Sequence, residues 1–219
     1  MAIFDEPSKG PLPQPGAKDV AHSIAKGVVS EIPMIGGPVS ELLGLLISPI
    51  AERRDGWLTD LQRRLHELEA QKEGFCFSDL SKNERFVSAV LQATTAAART
   101  HKKEKREALR NAVLNVATGD GLSEDVEALF LNFIDSFTTV HLKVLGLFAG
   151  RDPTIRAQLA TARDLTDPVV LDLASHGLVI DPRPYVARGR ESSNALVVDS
   201  WKLSRFGEQF VWFISIPLG

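Results

Sequence analysis

Between Ser81 and Thr118 the chain contains neither proline nor glycine, the two residues that most often interrupt a helix. So long a stretch without a breaker favours helix, and its apolar residues agree. Phe86, Val87, Val90, Leu91, Leu109, Ala112, Val113 and Val116 recur at helical spacing on either side of an alanine-rich, basic middle. The pattern predicts one long helix, or two collinear ones broken near His101. Ser81-Lys82-Asn83-Glu84 has the capping-box form at its start, and Gly119-Asp120-Gly121 supplies the stop.

The flanks carry the same 3.6-residue signal. Residues 1–17, rich in Pro and Gly, read as a flexible arm. Asp19 can then cap a short helix through Val20, Ile24 and Val28. After a Gly-Gly-Pro turn, a second helix from Val39 buries Leu42, Leu43, Leu46 and Ile47 until Ser48-Pro49 interrupts it. A new helix is expected from Pro49, with Trp57, Leu61, Leu65 and Leu68 on one stripe and Gly74 after its end. Phe75, Phe77 and Leu80 form a buried connection. Ser123, with Glu124, Asp125 and Glu127 in the first turn, opens another helix, because carboxylates there meet the positive end of the macrodipole. Leu129, Phe130, Phe133, Ile134 and Phe137 give it a broad apolar face. Val140, Leu142, Leu145 and Phe148 continue that face past a break at Thr138-Thr139, and this segment is expected to be the most buried in the fold.

From Pro153 the order changes: helix over 154–162, turn, helix over 168–175, a His176-Gly177 stop, strand over 178–180, polar loop, strand over 195–203, helix over 205–214. That order is a winged-helix pattern. Ser204 caps the last helix, which Phe206, Phe210 and Phe213 anchor by burying aromatic area. The expected fold is therefore mainly α: a flexible arm (1–17), a multi-helix body (18–150) and a C-terminal winged-helix-like α+β unit (151–219).

Chemistry is sparse. No G-x-S-x-G, P-loop or G-x-G-x-x-G occurs, and the five histidines lack metal-ligand spacing. His66 beside Glu67 and Glu69 reads as a surface pair, and His141, in an apolar helix, as a satisfied core residue. Cys76, flanked by Phe75 and Phe77 with no basic neighbour, reads as a buried small hydrophobe. No catalytic residue, metal ligand or cofactor is assigned, and a non-enzyme is favoured. The single cysteine and the absence of a signal-peptide pattern in the first residues point to a cytoplasmic setting.

The formal net charge of -3 gives no global attraction to polyanions, so any such binding must be local. The candidate anion- or partner-binding residues are Arg99, Lys102, Lys103, Lys105, Arg106 and Arg110, with Arg183, Arg188 and Arg190 in the wing. An ordinary solvated face is the competing explanation for both groups. Nucleic acid is the disfavoured partner, because the helix over 168–175 offers Asp172 and no basic residue to a DNA groove. Residues 32–50 approach the length of a membrane span. They hold Glu41, Pro38, Pro49 and Gly36-Gly37, however, so two short buried helices explain them better than lipid insertion. A protein partner or a homo-oligomer is the expected mode of action.

Gly36-Gly37-Pro38-Val39-Ser40-Glu41-Leu42-Leu43-Gly44, the helical middle and Leu203-Ser204-Arg205-Phe206-Gly207-Glu208-Gln209-Phe210 together resemble the Abi-alpha domain of bacterial proteins linked to abortive infection. The resemblance spans most of the chain, rests on short motifs and implies a role in phage defence. It supplies no catalytic residues.

Overall fold

The computed structural model describes residues 38–119, 121–150, 163–181 and 201–217. The expected arm, the helix over 19–30, the helix over 154–162 and the wing with Arg183, Arg188 and Arg190 lie outside these residues. The chain divides into two units, Met1–Ile47 and Ser48–Gly219. In the first, the described residues are the helical stretch from Pro38. In the second, the architecture is mainly helical with a small two-stranded antiparallel sheet.

Helix α1 (Pro38–Gln71) runs through Pro49 rather than restarting there, which corrects the expected interruption. Proline removes one backbone donor, but neighbouring side chains brace that turn: Ser48 Oγ donates to Glu52 (3.1 Å) and Arg53 Nε to the Pro49 carbonyl (3.2 Å). Trp57, Leu61, Leu65 and Leu68 are buried as expected. The connection contains a single turn, α2 (Phe77–Leu80), preceded by Cys76 in extended backbone. Successive side chains there alternate in direction, so Phe75 and Phe77 are half-buried while Cys76 is exposed, contrary to the buried reading.

The breaker-free stretch forms two helices, α3 (Glu84–Arg99) and α4 (Lys103–Thr118). They are not collinear but fold back and pack on each other. The extended conformations of Thr100 and Lys102 make the reversal, and the buried alanines of the two helices, Ala89, Ala93, Ala96 and Ala97 on α3 and Ala108 and Ala112 on α4, add little side-chain bulk to that packing. Phe86, as expected, and the alanines, not Val87 (43% exposed) or Leu91 (59%), thus form the core face of α3. Its cap is Asn83, whose side chain accepts from Phe86 N at 3.2 Å, two residues after the Ser81 the box pattern indicated. Gly119 ends α4 with φ +74°, a backbone conformation that favours glycine.

Helices α5 (Glu124–Ser136) and α6 (Thr139–Phe148) break where expected, bent by 119°. Leu129 is 40% exposed rather than part of the apolar face. The most enclosed segment is α4, where every residue from Ala108 to Val116 except Arg110 is buried. Helix α7 (Arg163–Ser175) starts before the expected 168–175 helix and includes Pro168. Strand β1 (Val179–Ile180) pairs antiparallel with β2 (Lys202–Leu203), in register Val179 to Leu203 and Ile180 to Lys202. Helix α8 (Arg205–Phe213) follows, and Ser204 caps it by accepting from Gly207 N at 2.9 Å. Phe210 and Phe213 pack against Phe130, so α8 and α5 belong to the same hydrophobic core. Among the described residues no single helix is long and apolar enough to cross a membrane.

Two asparagines lock α8 to α4. Asn111 Nδ2 donates to the Ile214 carbonyl at 3.0 Å, and the two hydrogens of Asn115 Nδ2 are shared among the carbonyls of Phe213 (2.9 Å), Ser215 (2.8 Å) and Asn111 (3.0 Å). Those of Phe213 and Ile214 are carbonyls that α8 leaves unpaired at its C-terminus. Asn115→Leu keeps the branching at Cγ and removes the donors. It is expected to cost about 2 kcal/mol, read as a lower urea midpoint at unchanged slope.

Candidate functional site

The basic block is sorted by the fold. Arg110 pairs with Asp60 and lies 3.6 Å from Glu107, and its side chain is 15% exposed, so it belongs to the α1–α4 interface. Arg63 and Arg110 together hold the Asp60 carboxyl below its usual range, although burial acts in the other direction. Lys105 is half-buried and donates to the Asp135 main-chain carbonyl at 2.7 Å; burial lowers its pKa while Asp135 partly offsets the effect. Arg106 is half-buried, and its carbonyl accepts from Trp57 Nε1 at 3.3 Å.

The remainder converges on the turn between α3 and α4. Arg99 ends α3, its guanidinium 63% exposed and paired with the Asp135 carboxylate at the end of α5. His101, Lys102 and Lys103 follow it, all exposed, and the two lysines make no ion pair among the described residues. Arg53 of α1 reaches the same place, with Nη1 3.5 Å from the Ala98 carbonyl. The tip therefore sets Arg53, Arg99, Lys102 and Lys103 against Glu104 and Asp135. In a chain of net charge -3 this is a local positive surface. Spacing alone does not find it, because on one straight helix these residues spread around the circumference. The hairpin reversal and α1 gather them.

A second group joins α6 to α7. His141 Nδ1 accepts from Thr138 N (3.2 Å) and lies 2.8 Å from Thr138 Oγ1, so Nε2 carries the proton and donates to Asp172 Oδ2 at 3.0 Å. The ring stacks on Phe137, 4.9 Å between centroids. His176 Nδ1 donates to the Asp172 carbonyl at 2.8 Å, and its ring sits edge-on to Phe133 and Phe137. The backbone donor on Nδ1 makes His141 a structural acceptor rather than a free base, consistent with a satisfied core histidine. Among the described residues no group of three or more potential ligands could hold a metal.

Burial lowers the His141 pKa, Asp172 opposing. The unfolded chain, with the ordinary value near 6.5, thus takes up a proton at higher pH than the folded chain. This group's contribution to stability should decline as pH drops from about 7 through the ordinary imidazole value. Urea midpoints compared between pH 7.5 and pH 5.5 should show a component of that decline that His141→Gln removes.

An open groove of about 650 Å³ lies between Gly121–Leu122 and the outer face of α8, lined by Arg205, Glu208, Gln209 and the partly exposed Trp212. It carries mixed charges and no arrangement of reactive groups. Comparison of the chain with protein-family models, with characterised proteins and with solved structures finds no match.

Proposed function

We propose that this chain is a non-catalytic protein-interaction component, acting in bacterial phage defence of the abortive-infection type, and that it docks its partner at the α3–α4 tip. The carrying observation is that Lys102 and Lys103 stand exposed beside Arg99 with no ion pair among the described residues, while Lys105 and Arg110 of the same block are tied into the fold. The defence context rests on the resemblance of residues 36–44 and 203–210 to the Abi-alpha domain.

The C-terminal unit is winged-helix-like in this reading, supported by the order α7, β1, β2, α8 and the antiparallel pairing of its strands. It closes the fold rather than reading DNA. Val169, Val170 and Leu173 bury one face of α7, and Asp172, half-exposed and bonded to His141 of α6, would repel phosphate.

Expression in a phage-sensitive host is expected to reduce plaque formation, and K102E/K103E is expected to restore it while the variant keeps its helical circular dichroism. Equal protection by wild type and variant would overturn the tip as docking surface. No protection by either would overturn the defence context.

A further inference from the structure

We infer that the α3–α4 tip takes an acidic segment of a protein partner, and that Asp135 is the tip's internal competitor for it. The inference rests on the docking surface proposed above. Asp135 shows how the tip receives a carboxylate: its side chain accepts from the Arg99 guanidinium, while its main-chain carbonyl separately accepts from the Lys105 ammonium. Both members of the Arg99–Asp135 pair are solvent-accessible, 63% and 38% exposed, so the contact can open without unfolding anything around it. An incoming carboxylate can take the place of the Asp135 side chain on Arg99 and gain Lys102 and Lys103 as further donors, a three-point site that Asp135 alone does not fill.

The extent of the positive surface selects the partner. Nonspecific duplex binding draws on roughly six to ten phosphate contacts. Among the described residues the tip offers Arg53, Arg99, Lys102 and Lys103, with Glu104 among them, on a chain whose net charge of -3 repels any polyanion extending beyond the tip. A short acidic peptide matches that footprint, since its side-chain carboxylates need only the few contacts that the tip provides.

Replacing Asp135 by asparagine keeps its shape and the main-chain acceptor of Lys105, and frees only Arg99. With the full-length chain and a fluorescein-labelled octaglutamate peptide, anisotropy titrations should show D135N binding about 2- to 5-fold tighter than wild type. K102E/K103E should bind at least about 10-fold more weakly, and all binding should weaken as salt rises. If D135N binds no tighter than wild type while K102E/K103E still loses the peptide, the competitor role is overturned and the docking surface stands. If K102E/K103E binds as wild type does, both fall. A labelled DNA duplex bound more tightly than the peptide would overturn the assignment of an acidic protein segment.

Discussion

Gly207→Ala is expected to lower the melting temperature by about 6–12 °C, from an overpacking cost of roughly 3 kcal/mol in a chain of this length. The reason is local. A Cβ on Gly207 would lie 1.9 Å from the Leu178 carbonyl oxygen and 2.8 Å from its carbon, and these are backbone atoms that no rotamer change can move aside. That carbonyl is also held by the start of α8: Ser204 N donates to it at 3.0 Å and Ser204 Oγ lies 3.2 Å away. Relieving the clash therefore means moving α8 off the Leu178 backbone just before β1, which pulls on the packing of Phe210 and Phe213 against Phe130 and on the asparagine lock at the other end of the helix. Thermal unfolding followed by circular dichroism checks this. A change under about 2 °C, less than 1 kcal/mol, would show that α8 does not approach Leu178 this closely.

Arg85→Ala is expected to cost about 3–5 kcal/mol, because it strands a carboxylate in the core. Glu127 has 5% of its side chain exposed, and Arg85 Nε reaches its Oε2 at 2.6 Å while Nη2 serves the other carboxylate oxygen and the Leu122 carbonyl at 3.0 Å. Hydrogen bonding to Glu127 in turn raises the Arg85 pKa, with burial opposing. The effect should be asymmetric. Removing Glu127 leaves a guanidinium that is 29% exposed and can turn to water, whereas removing Arg85 leaves a buried anion with nothing to turn to. In Arg85→Ala the stranded carboxyl should take up a proton more readily folded than unfolded, so the deficit against wild type should shrink as pH falls from 7 toward 5. Denaturant unfolding of Arg85→Ala, Glu127→Ala and the double variant reads all of this. Equal costs for the two single variants at every pH would mean that the pair is not buried as described.

These sites show where the sequence was legible and where it was not. Periodicity and breakers located most of the described helices: the Trp57–Leu68 stripe, the break at Thr138-Thr139, the Gly119 stop and the Ser204 cap reflect local rules that act within a few residues. What failed depended on partners far along the chain. Pro49 stays helical despite its missing donor, and the stretch over 81–118 reverses near His101 because alanines on both sides allow close contact. Periodicity does not distinguish collinear helices from a hairpin. Glu127 looked like a first-turn carboxylate for the macrodipole, and only the fold brings Arg85, 42 positions away, to it. Asn111 and Asn115 carried no local signal, since their acceptors lie about a hundred residues downstream. The basic block was visible as composition, but its division into structural and exposed cations required the hairpin.

The direct test of the functional account is an amide NMR map of the full-length chain titrated with octaglutamate. Shifts are expected at Ala98–Lys105, Arg53 and Asp135, with the α8 groove around Arg205 and Trp212 unchanged. Shifts centred on α7 or α8, or none at the α3–α4 turn at saturating peptide, would contradict docking at the tip.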